Sequence, residues 1–175
     1  MGLDLDKFQP PEKLTSVHQI NQFDSGNDEL DQWLKQRALK NETAGASRTY
    51  VLCVNGLVIA YYCLANGAIA QITATGKVRR NMPDPIPVMV IGRLAIDRNW
   101  QRRGIGRALL RDAILRTLQA AEIAGIRAII VQAISVDAKL FYEKCGFTAS
   151  PIDSMTLMIK ISDTSISFME GTLYS

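Results

Sequence analysis

Apolar residues change their spacing along this chain, and the changes separate helices from strands. Leu30, Trp33, Leu34 and Ala38 recur at the 3.6-residue period and predict one amphipathic helix within "FDSGNDELDQWLKQRALKNETAG". Ser25 or Asn27 can cap it, and Asp28 and Glu29 suit the positive end of its dipole. Lys35 points away from the apolar stripe and Lys40 lies near its edge. Arg37 falls inside the stripe, so its charged end must snorkel outward or meet an anion. The same period returns in Leu109/Leu110, Ala113/Ile114, Thr117/Leu118 and Ala121, with Arg107, Arg111 and Arg116 as the polar complement.

Between these stretches the apolar residues run together, as in buried strands. "TYVLCV" and "LVIAYYCLA" are joined by Asn55-Gly56, a strong hairpin signal because both residues tolerate positive φ. "VMVIGRLAID", "RAIIVQAI" and "MTLMIKIS" are further strands, and Gly92 inside the first of them marks a bulge or a close backbone approach. "SVHQI" reads as a short extra strand near the start, and "VDAKLFYEKCGF" as a short helix ending at Gly146. Residues 66–87 read as irregular. Their stretch "TGKVRRNMPDPIP", with Pro83, Pro85 and Pro87, predicts an exposed loop carrying Lys77, Arg79 and Arg80. The tail "SISFMEGTLYS" has no clear pattern. Interleaved strands and helices over 175 residues predict a single mixed α/β domain, 1–175.

Composition narrows the class. With 47% hydrophobic and 21% charged residues the chain is globular. No apolar run approaches the ~20 residues that span a bilayer, and "MGLDLDKFQPPEKL" has no signal-peptide core. A cytoplasmic protein without membrane attachment is expected. Cys53, Cys63 and Cys145 lack metal-ligand spacing and His18 is the sole histidine, so no metal is expected.

Charge adds a direction. Residues 46–131 carry 12 basic and 4 acidic groups, net +8, whereas the flanking segments are net −3 and −2. A basic middle suits an anionic ligand, although arginines spread over a solvated surface give the same count. The densest cluster is "NWQRRGIGRALL". A turn opening a helix directs unpaired backbone N–H groups and the positive end of the helix dipole at one point. Gly104 and Gly106 let an anion approach the main chain, and Arg102, Arg103 and Arg107 add charge-assisted hydrogen bonds. A Walker loop is excluded, because Arg107-Ala108 stand where Lys-Ser/Thr is needed; a dinucleotide fingerprint is excluded by Leu109 at its third glycine.

The pattern Gln101-x-x-Gly104-x-Gly106, preceded by an apolar strand, resembles the pyrophosphate loop of the GNAT N-acetyltransferases. Further on, "QAISVDAKLFYEKCGF" resembles their second motif at Ala138, Phe141, Tyr142, Gly146 and Phe147. Ser135 departs from the asparagine that many members carry. The likeness covers about residues 14–162, with its motif core at about 88–147. It implies a GNAT fold: a mostly antiparallel twisted sheet, splayed at the acetyl-CoA site and flanked by helices. It implies acetyl-CoA as cosubstrate. Main-chain groups of Leu94, Ala95 and Ile96 would meet the pantetheine arm. The segment Arg102, Arg103, Gly104, Ile105, Gly106 and Arg107 would hold the pyrophosphate, and Ala138 and Phe141 would flank the thioester.

Acetyl transfer from a thioester needs an uncharged amine and a proton for the leaving thiolate. A thiol at ~8.5 can be protonated by a phenol at ~10, and the resemblance implies Tyr142 for that role. The strand before the loop has no glutamate to serve as base. Asp97 stands at its end, and Glu143 or another residue stays open for the role. A lysine amine is only about one part in 2500 neutral at pH 7, whereas an α-amine is roughly a tenth neutral, so the missing carboxylate favours an α-amino acceptor.

"VIGRLAIDRNWQRRGIGRALLRDAILR" is similar to the GNAT toxins of bacterial toxin–antitoxin pairs, the TacT and AtaT type, as are "FDSGNDELDQWL" and the closing "SISFME". That likeness implies acetylation of the α-amine of charged tRNA and a block of translation. It also implies a homodimer and neutralisation by a ribbon-helix-helix antitoxin. Lys35, Arg37, Lys77, Arg79, Arg80 and Arg93 are then candidate tRNA contacts, against the alternative of a solvated charged face. Two other functions compete: a GNAT enzyme acting on a small amine or a protein N-terminus, and a non-catalytic CoA-sensing or RNA-binding module.

Overall fold

The structure, a computed structural model, describes residues 8–164; the tail "SISFMEGTLYS" and the first seven residues lie outside the described residues. The elements in order are β1 (Glu12–Lys13), α1 (Asp28–Gln36), α2 (Ala38–Ala44), β2 (Arg48–Val54), β3 (Leu57–Ile69), α3 (Gly76–Arg79), β4 (Ile86–Ile96), α4 (Ile105–Ala121), β5 (Ala128–Gln132), α5 (Val136–Lys144), β6 (Thr148–Ala149) and β7 (Thr156–Lys160). The strands form a seven-stranded sheet in the order β1-β2-β3-β4-β5-β7-β6. β4 and β5 run parallel, while β1–β2, β2–β3, β5–β7 and β6–β7 are antiparallel. This is the mixed α/β class that interleaved periodicities imply.

The chain divides into two compact units: one of residues up to Ala65 with Arg93–Ala113, the other of Asn66–Gly92 with the residues from Ile114 on. In the first, α1 and α2 bury Leu30, Trp33, Leu34 and Ala38 in a core with Phe23, Val51, Val58, Tyr61 and Ala95. Trp33 stacks on Tyr61 at 5.9 Å, and the Tyr61 hydroxyl donates to the Leu30 carbonyl at 2.6 Å. Asn27 caps α1, its side chain accepting from Leu30 N. Ser25 instead donates to the buried Asp31 carboxylate at 2.6 Å. Asn55 and Gly56, at φ 51° and 81°, close the β2–β3 hairpin as expected. The opening half of α4 buries Leu109, Leu110 and Ala113 completely.

In the second unit, Val78, Ile86, Val88, Ala128, Ile130 and Met158 share a core. β4 pairs with β5 over Val88–Ile91, so the parallel ladder stops just before Gly92.

Three expectations need correction. The segment expected as the strand "SVHQI" is a turn with one bridge, Gln19 to Leu57. Its strand pairing is lost to local bonds: Thr15 N–H donates to His18 Nδ1 at 2.9 Å, and His18 N–H donates to the Thr15 carbonyl at 3.2 Å. The single helix expected after Phe23 breaks at Arg37 (φ −118°, ψ −34°) into α1 and α2. The break leaves Arg37 exposed while Leu34 and Ala38 stay fully buried on either side. Residues 66–87 are less irregular than expected, since β3 continues to Ile69 and α3 forms at Gly76–Arg79.

Candidate active site

The glycine-arginine turn belongs to the first unit. β4 ends at Ile96, and Asp97 turns the chain: its carboxylate accepts from Asn99 N–H at 3.0 Å and from Asp24 N–H at 3.1 Å. Both oxygens therefore have structural partners, and Asp97 is spent on the turn. Gln101 then anchors the loop, its Nε2 donating to the carbonyls of Ser25 and Ile96, each at 2.8 Å. Arg98 pairs with Asp24 at 3.0 Å. The Asp24 carboxyl is held below its ordinary range, chiefly by Gly26 N–H, with Arg98 and Lys35 adding to the effect.

Arg102 and Gly104 take φ values of 62° and 82°, and α4 starts at Ile105. Alternating left-handed residues fold a main chain into a concave nest for anions, and the first N–H groups of a helix have no intrahelical acceptor. No heavy atom beyond the neighbouring residues stands within 4 Å of the place a Gly104 Cβ would occupy, so the space over the turn is open. Arg102, Arg103 and Gly104 are exposed, Gly106 and Arg107 half-buried, and the Ile105 side chain anchors the helix start in the core. The Arg103 guanidinium lies 5.0 Å over the Trp100 ring, which packs edge-on against Phe8. The cradle thus fits a pyrophosphate by backbone shape and charge together. Leu94 and Ile96 are half-buried and Ala95 is buried in the core of this unit.

The second motif belongs to the second unit. Ser135 caps α5, its hydroxyl accepting from Ala138 N–H at 3.1 Å, a cap as good as asparagine would be. The end of α5 is a Schellman motif: Phe147 N–H donates to the Tyr142 carbonyl and Gly146 N–H to the Glu143 carbonyl, both at 3.0 Å, with Gly146 at φ 95°. The hydrophobic contact that accompanies this motif is Tyr142 against Phe147, with ring centroids 5.5 Å apart. Phe141 closes on Tyr142 from another side at 5.1 Å. Tyr142 is only 7% exposed, and its hydroxyl makes no hydrogen bond among the described residues. Burial, with a smaller contribution from Cys145, raises its pKa above the ordinary phenol value. Phe141 and Ala138 are half-buried, and Glu143 is exposed.

The basic candidates divide. Lys77, Arg79 and Arg80 lie together on and just after α3 in the second unit, all exposed. Lys77 pairs with Asp163 at 3.5 Å. In the first unit, Lys35 is half-buried and Arg37 exposed at the helix break. Arg93 is committed to structure, its guanidinium 4.5 Å over the Trp33 ring. The sequence marks Gln101 only as the first position of the loop pattern and leaves Arg127 unmarked, because the bonds of both appear only once the chain has folded.

Glu12, His18 and Cys53 bring donor atoms within 4.8 Å of one another. The group is closed by its own bonds. His18 Nδ1 accepts from Thr15 N–H, so Nε2 carries the proton and donates to Glu12 at 2.8 Å. The Cys53 thiol is pushed up to about 11 by burial and by Glu12, which keeps it a thiol at neutral pH. Among the described residues, no helix is long and apolar enough to cross a membrane.

Residues 45–149 match the family model described as an acetyltransferase (GNAT) domain. The chain is 45% identical over 156 residues, 89% of its length and 94% of the relative's, to the "tRNA-acetylating toxin" of Mycobacterium tuberculosis. Its fold matches the structure of AtaT complexed with acetyl-methionyl-tRNAfMet at a TM-score of 0.80 and 25% identity, covering 94% of this chain and 98% of that one. It also matches a mutant AtaT toxin bound to acetyl-CoA and the C-terminus of the antitoxin AtaR, at a TM-score of 0.78 and 25% identity, covering 91% and 98%.

Proposed function

The chain belongs to the GNAT acetyltransferase family, and from that premise we propose that it acetylates the α-amino group of aminoacyl-tRNA and so blocks translation. Acetyl-CoA is the cosubstrate, and the enzyme is an N-acetyltransferase. The observation that carries the acceptor is the 45% identity with a tRNA-acetylating toxin across nearly the whole of both chains. The proposal takes the chain as one GNAT domain acting in the cytoplasm as a homodimer, neutralised by a ribbon-helix-helix antitoxin. The AtaT structure with its antitoxin AtaR supports the antitoxin part.

Each residue group has a task that its setting supports. The main chain of Arg102 to Arg107 receives the pyrophosphate on the nest and the start of α4, with the arginines compensating its charge. Main-chain groups of Leu94, Ala95 and Ile96 receive the pantetheine amides. Ala138 and Phe141 border the thioester and exclude water. The α-amine attacks the carbonyl carbon, an N–C bond forms and the C–S bond breaks. Tyr142 Oη gives its proton to the leaving sulfur and regains one from the new ammonium through water. β4 itself has no carboxylate, and Asp97 just after it is engaged by two backbone N–H groups, so neither supplies a dedicated base. An α-amine at ~7.7–8.0 needs none, since roughly a tenth of it is neutral at pH 7.

Lys77, Arg79 and Arg80 are proposed to meet tRNA phosphates, with Lys35 and Arg37 as further contacts; Arg93 acts through its stack on Trp33. The test is acetyl transfer from radiolabelled acetyl-CoA to total charged tRNA. Label is expected on aminoacylated tRNA, lost on mild alkaline deacylation, and absent from uncharged tRNA. Robust labelling of a small amine without labelling of any charged tRNA would overturn the acceptor. Label that stays on the RNA after deacylation would move the nucleophile to a base or sugar.

A further inference from the structure

The basic turn that carries Arg79 and Arg80 has too little helix to hold itself. α3 is four residues long, well below the ~12–15 at which a helix becomes marginally stable alone. Thr75 caps its start and Val78 is its one buried side chain. The carbonyls at its end need partners from elsewhere. Arg127 supplies them. Its Nε donates to the Val78 carbonyl at 3.1 Å, and its Nη2 donates to the carbonyls of Lys77 at 3.0 Å and Arg80 at 3.1 Å. Arg127 is itself fixed through its main chain, with its N–H on the Pro87 carbonyl at 2.9 Å and its carbonyl accepting from Ile161 at 3.0 Å. The guanidinium therefore extends the rigidity of the strands to the turn. At the other end of this arrangement, the side chains of Arg79 and Arg80 are exposed and make no hydrogen bond or ion pair among the described residues.

We propose that Arg127 is a positioning residue for the acceptor nucleic acid: it orders the Lys77–Arg80 turn so that Arg79 and Arg80 are preorganised for tRNA phosphates. The inference rests on the proposed engagement of tRNA by this turn. A planar fork is required, because one group must reach three carbonyls at fixed angles; the point charge of a lysine cannot. Ordering two flexible arginines before binding lowers the entropy cost of association, so the effect falls on affinity for tRNA and not on chemistry.

Steady-state kinetics with both substrates varied distinguishes this from a general structural role. Arg127→Ala is expected to raise KM for charged tRNA about five-fold or more, the weight of one phosphate contact at 0.15 M salt. Both kcat and KM for acetyl-CoA should stay within about two-fold, because the side-chain bonds of Arg127 all go to the Lys77–Arg80 turn. Arg127→Lys keeps the charge and the stem and should also raise KM for tRNA; it decides the matter if the alanine variant fails to fold. On an Arg79→Ala/Arg80→Ala background, Arg127→Ala should add less than about two-fold, because the two arginines it positions are gone and the remaining Lys77 is paired with Asp163. An unchanged tRNA KM in Arg127→Lys would overturn the proposal. So would full additivity on the double-variant background, which would make Arg127 a phosphate contact in its own right, or a parallel loss in kcat and both KM values. If Arg79→Ala/Arg80→Ala alone leaves KM for tRNA unchanged, the underlying reading of the turn fails and the role of Arg127 falls with it.

Discussion

Tyr142 is a phenol in ring contact with Phe141 and Phe147, and among the described residues nothing accepts its proton. Removing the hydroxyl leaves both ring contacts in place, so Tyr142→Phe should fold and bind acetyl-CoA like the parent. Its acetyl transfer should fall at least ~100-fold, the scale of a lost general acid. Equal turnover in the two proteins would reduce Tyr142 to packing. The direction of its pKa gives a second measurement. Burial disfavours the phenolate, so the shift is upward and the donor form persists beyond the ordinary phenol value of ~10. The pH profile of kcat/KM should rise through pH 7–8 as the acceptor α-amine loses its proton and show no descending limb below pH ~10. A fall between pH 8 and 9 would mean that another group is the acid. At this scale the sequence singled out Tyr142 but not its surroundings, because a phenol's burial arises from residues brought together by folding.

Two short elements carry the proposed site, and each contains one left-handed glycine. Gly146 at φ 95° is the left-handed residue of the Schellman motif that puts the Tyr142 ring against Phe147. A side chain there is strained whatever the space, and Ile159 stands 3.5 Å from the added carbon. Gly146→Ala should cost about 1–2 kcal/mol in a denaturant titration, the penalty of a Cβ in the left-handed region. Gly104 has the same conformational demand at φ 82° but open space around it. Gly104→Ala should therefore lose a similar amount of stability. Gly104→Asp should in addition abolish most acetyl-CoA binding, because it sets a carboxylate where the pyrophosphate belongs. Calorimetry giving one affinity for the aspartate variant and the parent would remove the loop from the site. The glycine, arginine and aromatic positions were legible because turn chemistry is local. The break at Arg37 was not, since no proline or glycine marks it and the Leu34–Ala38 spacing is the one an unbroken helix would show. Nor was the turn at Ser16–Ile20, where His18 competes for backbone groups that a strand would use.

Over the whole molecule, the +8 of residues 46–131 was readable by counting, but its distribution was not. Arg93 lies on Trp33, Arg98 pairs with Asp24, and Arg127 is spent on three carbonyls. A raw charge count therefore overstates what is left for a ligand. Among the described residues, Arg102 and Arg103 just before α4 and Arg79 and Arg80 at the end of α3 are the exposed adjacent arginine pairs, one in each compact unit. Acetyl-CoA and tRNA should draw on different pairs, and salt separates them. Each neutralised phosphate releases a condensed counterion, so the logarithm of tRNA affinity falls with the logarithm of salt at a slope of about −0.7 to −0.9 per contact. Arg79→Ala with Arg80→Ala should weaken tRNA binding and flatten that slope by about one to two counterions. The same variant should hold acetyl-CoA affinity within about two-fold, as a surface change remote in sequence from the cofactor turn. Filter-binding titrations across a range of salt concentrations read both the intercept and the slope. Weaker binding with an unchanged slope would mean that the two arginines act through shape and not through phosphate charge. A parallel loss of acetyl-CoA affinity would mean that the two anions share one basic surface.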